Sequence, residues 1–283
     1  MTQLRSPLVA VIIALGVLTA GTLVGPRAVP DDAWTTTAPD TTTADSVAQQ
    51  LLRAHGAEAF ASAPYLRFTF ALDTPDGTRV VGRHLWDRTT GDYRVEWQSG
   101  PDTAYVALVN VRDVTDGLPN GTAYRNGTEL TGAAAKEARR TAYQRFINDT
   151  YWLLAPLKVD DPGVNRTYLP DSSTAVHDVL HLTFGDVGLT PDDQYWLYVS
   201  KDTGRLDRWA FHLQGMDDAA PPQVYEWTGD TTLTAPSGSV KLATRKEAVN
   251  GKRVILTNEL ALPSRPPDGA FSTPTPMLGS QSD

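Results

Sequence analysis

The chain has 283 residues, no cysteine and a formal charge of −8. It therefore has no disulfide framework, no thiol nucleophile and no thiolate-held zinc or iron–sulfur site. Its acidity leaves no positive field to gather a phosphate backbone, which argues against nucleic acid as a partner, and 41% hydrophobic residues is too many for a wholly disordered protein.

Arg5 precedes Leu8–Val24, an apolar run of 17 residues with no charge inside it. A positive start and an apolar core are marks of a secretory signal, but Leu18-Thr19-Ala20 puts a large residue where cleavage needs a small one. Seventeen residues is also the lower limit for a spanning helix. Residues 1–29 are read as a signal peptide or an N-terminal membrane anchor, with both readings open. Either one places the rest of the chain outside the cytoplasm, secreted or anchored to the membrane through this segment. Residues 30–44 carry Thr35-Thr36-Thr37 and Thr41-Thr42-Thr43 and read as a flexible Thr/Pro-rich linker.

A domain is expected over 45–271. Val47, Leu51, Leu52, Ala54 and Phe60 recur at near-helical spacing, and Gly56 should weaken that helix. Strands follow at Leu66–Leu72, Arg79–Asp87, Tyr93–Gln98 and Thr103–Val111, each alternating apolar and polar residues or bounded by turn residues. A loop rich in glycine and asparagine then leads to a helix over Thr131–Leu154, rich in alanine at its start and ended by Pro156. A second strand series runs Ala175–Phe184, Gln194–Ser200, Arg205–Gln214, Gln223–Trp227, Val240–Glu247 and Arg253–Leu260, with Asn250-Gly251 as a hairpin signal. Residues 272–283, with Pro274 and Pro276, read as a disordered tail.

Tyr195-Trp196-Leu197-Tyr198-Val199 is apolar or aromatic at every position, so both faces of that strand need cover. The neighbouring strand puts Trp209 and Phe211 on one face only. A sheet that is two-sided in its middle and one-sided at its margin needs a lid, which the two helices supply. The expected fold is mainly β (α+β): a curved antiparallel half-barrel with helices packed on its concave face.

The candidate chemistry is sparse. His177 and His181 lie four apart on a strand, about 13 Å from each other, too far to share one ion. Asp160-Asp161-Pro162-Gly163 and Pro191-Asp192-Asp193 read as solvated turns. No nucleophile elbow, phosphate loop or metal-binding helix is present, so no catalytic residue, metal ligand or cofactor is assigned. Asn120, Asn126, Asn148 and Asn165 each begin an Asn-X-Thr triplet, which makes four of the seven asparagines candidate glycosylation sites. Aspartate outnumbers glutamate 26 to 7 and arginine outnumbers lysine 19 to 6, a choice suited to solubility at high salt in a halophilic setting. The remaining feature is an aromatic set: Phe68, Phe70, Trp97, Phe146, Trp152, Trp196, Trp209 and Trp227. These residues either form a packed core or line a cavity for an apolar ligand, and periodicity cannot separate the two.

Tyr151-Trp152-Leu153-Leu154-Ala155-Pro156-Leu157-Lys158, Asp161-Pro162-Gly163-Val164, Val179–Phe184, Val187–Val199 and Ala54-His55-Gly56 together resemble a family of bacterial and archaeal secreted proteins of unknown function. That family is similar in architecture to the LolA-type lipoprotein carriers. The resemblance implies an unclosed half-barrel whose helices plug an apolar cavity, and it carries no catalytic residue over. The implied function is extracytoplasmic binding of a lipid-like or lipoprotein-derived ligand. The alternative is a structural or interaction module of the cell envelope with no ligand, and a hydrolase stands third.

Overall fold

The computed structural model describes residues 41–77, 79–185 and 190–279. The expected leader over 1–29, and the linker as far as residue 40, lie outside the described residues.

Helix α1 (Thr41–His55) and the short α2 (Ala57–Ser62) are separated by Gly56, in the left-handed region at φ 76°. Six strands follow: β1 (Tyr65–Asp73), β2 (Arg79–Asp87), β3 (Asp92–Gln98), β4 (Ala104–Thr115), β5 (Leu118–Arg125) and β6 (Thr128–Glu129). Helix α3 (Gly132–Leu154) leads to a second series. This comprises β7 (Val164–Tyr168), β8 (His177–Phe184), β9 (Gln194–Ser200), β10 (Leu206–His212), β11 (Gln223–Ala235), β12 (Gly238–Ala248) and β13 (Val254–Ala261).

All thirteen strands belong to one sheet in the order β6-β5-β4-β3-β2-β1-β13-β12-β11-β10-β9-β8-β7. Each neighbouring pair is antiparallel, including β1 with β13, where Phe70 faces Thr257 and Leu72 faces Ile255. The chain thus starts in the middle of the sheet, meanders out to the β6 edge, crosses to the β7 edge through α3, and meanders back. The two edges do not pair, so the sheet is open. At 1.5 Å per residue α3 is about 35 Å long, enough to reach across the concave face. Its first half packs Ala138 and Ala142 on Tyr93, Val95 and Trp97; its last turn sinks Trp152, Leu153 and Leu154 into the main core with α1 and α2. The architecture is the expected one: an open, mainly β half-barrel with helices on its concave face.

Two departures have local causes. The Gly/Asn-rich stretch after β4 is not a loop but β5 and β6. Asp116-Gly117 joins Thr115 to its partner Leu118, and Asn126-Gly127 joins Arg125 to Thr128. All four turn residues have positive φ, the signature of two-residue type I′ hairpins. Strand β7 carries no sequence signal, because Val-Asn-Arg-Thr-Tyr lies on the open edge and is only partly covered. At the start of the domain, residues 41–44 belong to the first turn of α1 rather than to the linker.

The disordered tail expected over 272–283 does not hold for residues 272–279, which run over the convex face. Arg94, between the inward-facing Tyr93 and Val95, points outward and donates to the carbonyls of Ala270 (3.0 Å), Thr273 (2.8 Å) and Thr275 (2.5 Å). Glu96 pairs with Arg94 at 2.6 Å and accepts from the amides of Met277 (2.8 Å) and Leu278 (3.0 Å). Ala270 and Leu278 cover Leu85 in a small apolar cluster. Proline content signals an absence of helix and sheet, which is a different matter from an absence of order.

Candidate functional site

The concave interior is an aromatic layer. Trp152 of α3 meets Trp209 edge-on at 4.5 Å, Tyr225 at 5.0 Å and Phe211 at 5.8 Å. Trp209 in turn meets Trp227 at 5.0 Å and Tyr195 at 5.1 Å. Edge-to-face spacing of this kind is that of rings in contact, so the space between helix and sheet is filled by the protein's own side chains.

The eight aromatic residues read as one set, either a packed core or a cavity lining, fall into three groups. Phe68, Phe70, Trp152, Trp209 and Trp227 share the main core. Trp97 and Phe146 belong to a separate cluster under the first half of α3. Trp196 lies on the opposite, convex face with Val179 and Ala210, where His181 stacks on it at 4.9 Å. The every-position apolar strand had indicated that both faces of β9 are covered; it could not indicate that they are covered by different things.

Three buried polar groups lie on the concave side; of these only His55, within Ala54-His55-Gly56, enters the sequence analysis. The first is Lys246 on β12, 0% exposed. It faces the interior beside Trp227, its cross-strand partner, and its ammonium lies 4.8 Å from that ring. It donates to Ala243 O (2.7 Å) and Thr257 Oγ1 (3.1 Å). Both are neutral, and among the described residues no carboxylate pairs with it. Burial pulls its pKa from 10.5 to about 7. The indole N–H groups of Trp209 and Trp227 are buried nearby with no acceptor among the described residues.

The second is a network joining α3 to the sheet. Tyr93 Oη and His84 Nδ1 are 2.5 Å apart. With Nδ1 accepting from the hydroxyl, the ring proton sits on Nε2, 3.1 Å from Asp149 Oδ2 but off the straight line of a hydrogen bond. Arg145 stands 3.7 Å from the same carboxylate. Burial lowers the pKa of His84 while Asp149 works against the shift, and burial raises that of Tyr93. A Tyr–His–Asp line suggests proton relay, but Tyr93 and His84 are fully buried and Asp149 nearly so. All three lie away from the surface, and the network ties helix to sheet. Tyr93→Phe, which removes only the hydroxyl, is expected to cost about 1 kcal/mol, read by urea denaturation; no loss would show that the hydroxyl contributes nothing to the tie.

The third is His55 at the end of α1. Its Nδ1 donates to Lys241 O (2.6 Å) and its Nε2 accepts from the Leu206 amide (3.2 Å), which fixes the neutral ring in one tautomer. Burial, chiefly, lowers its pKa to about 4. The unfolded chain therefore binds a proton between about pH 6.5 and 4 that the folded chain refuses, so stability falls as pH drops through that window. A shift of this size corresponds to about 3 kcal/mol. His55→Gln should flatten the acid limb of a stability-against-pH curve, measured by urea denaturation; an unchanged limb would remove His55 as its cause.

The remaining candidates resolve individually. Asp193 is buried rather than solvated: it accepts from Thr190 Oγ1 (2.7 Å) and the Gln214 amide (2.7 Å) and holds the base of the β9–β10 hairpin. Asp160 pairs with Arg166 at 2.8 Å and Asp161 with Lys158. His177 meets Asp207 (3.1 Å) and His181 meets Gln194 (3.0 Å). Among the glycosylation candidates, the amide of Asn120 donates to Asp113, that of Asn126 to Asp102 O and that of Asn148 to Asp149. Asn165 is exposed on the edge strand β7.

The fold and interior define a helix-covered open half-barrel with a buried cation. No family model matches the sequence, and no curated protein matches it. Solved structures similar in shape include a DUF1329 family protein from Desulfovibrio piger (12% identity, 81% of this chain and 96% of that one, TM-score 0.45). A LolA superfamily protein from Nitrosomonas europaea is similar over 79% of this chain and 96% of its own (14% identity, TM-score 0.42). An outer membrane lipoprotein-sorting protein domain from Vibrio parahaemolyticus is similar over 80% and 97% (9% identity, TM-score 0.40). No helix among the described residues is long and apolar enough to cross a membrane.

Proposed function

We propose that this is a non-enzymatic binding protein outside the cytoplasm, secreted or anchored through residues 1–29, that takes a lipid-like ligand between α3 and the sheet. One observation carries the reading: Lys246, fully buried with neutral partners only, beside the acceptor-less indole of Trp227. Burying an unpaired cation and unsatisfied donors is costly, and a core that served packing alone gains nothing from them. A ligand with an apolar chain and an anionic end satisfies them. Its chain gains about 0.8 kcal/mol per buried methylene, the drive needed to part α3 from the aromatic layer. Glycosylation, where the host performs it, falls on the exposed Asn120, Asn126 and Asn165 before the half-buried Asn148.

The test is solvent extraction of the purified protein with mass spectrometry, followed by titration of the delipidated protein with a fluorescent long-chain fatty acid. Saturable binding, weakened at least tenfold by Lys246→Met, is expected. An empty extract together with no binding would overturn the reading.

A second reading, an envelope interaction module without ligand, is favoured by the filled interior. It predicts a stable protein partner in pull-downs and no response to the fatty acid.

A further inference from the structure

A cleft of about 590 Å³ opens at the rim of the half-barrel, lined by Arg53, Ala54, Gly56, Thr203, Arg205, Ser239 and Lys241. Three cations from three elements converge there: Arg53 from α1, Arg205 beside β10 and Lys241 from β12. No carboxylate lines the cleft. Asp230 reaches Arg205 at 2.6 Å, while Arg53 and Lys241 form no ion pair among the described residues. On a chain with a net charge of −8 and only six lysines, this gathering of positive charge runs against the composition.

The walls are fixed in place. His55 clamps the end of α1 to β12 through Lys241 O and to β10 through the Leu206 amide. At Gly56 a Cβ would lie 2.1 Å from Ser239 O, and at Gly204 one would lie 2.9 Å from Gln50 Cγ. Both glycines have positive φ, and at Gly56 the atom met is backbone, which closes that approach to a side chain. The cations are thus presented on a rigid frame, and Ser239 and Thr203 bring hydroxyl donors to the same space. Guanidinium forks with an ammonium and hydroxyls match a tetrahedral oxyanion.

We propose that this rim cleft binds a phosphate-bearing group. The site stands apart from whatever occupies the interior, and its occupancy does not depend on the aromatic layer opening. Two sources share the chemistry: a soluble phosphate and the headgroup of an anionic phospholipid. The full-length protein is titrated calorimetrically with inorganic phosphate and pyrophosphate, and is co-sedimented with phosphatidylcholine vesicles with and without phosphatidylglycerol. Binding in the first arm points to a soluble phosphate; binding only to the anionic vesicles points to a headgroup. In whichever arm binds, the double variant R53Q/K241Q should lose at least tenfold in affinity. Both side chains are exposed, so the fold is retained, which circular dichroism confirms. Lys252→Gln, an exposed cation in the β12–β13 turn, should change nothing. Failure to bind in both arms, or undiminished binding by R53Q/K241Q, overturns the assignment.

Discussion

Glu96→Ala is expected to destabilise the protein by about 3–5 kcal/mol, the range for breaking a buried ion pair by removing one partner. Arg94 and Glu96 are 0% and 2% exposed only because residues 270–278 cover them. With glutamate gone, Arg94 keeps its three carbonyl acceptors but loses its counter-charge, and the amides of Met277 and Leu278 lose their acceptor. The chain has one escape: the strap can lift, which lets water reach Arg94 at the expense of the Leu85 cluster. The cost of the substitution is therefore capped by what the strap contributes. A chain lacking residues 270–283 has already lost that contribution, and there Glu96 is solvated. Glu96→Ala should then cost under about 1 kcal/mol, as for an exposed pair. The measurement is a double-mutant cycle by urea denaturation. Equal costs in the full-length and shortened chains would show that the strap and the pair are independent.

Lys246→Met is expected to stabilise the protein, by about 2–4 kcal/mol at neutral pH. The wild-type lysine titrates at about 7 instead of 10.5, so between those values the unfolded chain holds a proton that the folded chain has given up. Stability consequently rises with pH across that window, and the full penalty, about 5 kcal/mol by the size of the shift, applies at pH 7 and below. Methionine keeps the length of the side chain and removes the charge. Thr257 Oγ1 lies 3.4 Å from Ala243 O, so the two groups left behind have each other. The gain should shrink as pH rises through that window and be gone by pH 10.5. A gain independent of pH would show that methionine acts by packing alone. Stabilisation coupled to weaker fatty-acid binding would mark Lys246 as kept for a ligand at the expense of stability.

Much of the strand pattern was legible because burial on one face writes itself as alternation. Leu66, Phe68, Phe70 and Leu72 all point into the core, and Tyr93, Val95 and Trp97 into the cluster beneath α3. The two hairpins at Asp116-Gly117 and Asn126-Gly127 read as one loop, because the polar residues around those turns obscure a strand of only partial burial. Lys246, His84 and Asp149 were not legible at all, because a charged residue at an inward position of a strand or helix looks the same as one at an edge. The strap was hidden for a related reason: its order comes from Arg94 and Glu96, more than 170 residues away, and its own residues have no periodicity to declare.

What the sequence by itself determined was ten of the thirteen described strands, the long helices and that the sheet needs cover, since local periodicity and turn residues respond to burial on one face. Only the tertiary structure decided which partner supplies that burial. The pairing of β1 with β13, the split of the aromatic set across two faces, the uncompensated Lys246 and the convergence of Arg53, Arg205 and Lys241 each depend on contacts between distant segments. Those contacts are set by the closure of the whole meander under one crossing helix, and no local stretch of residues encodes them.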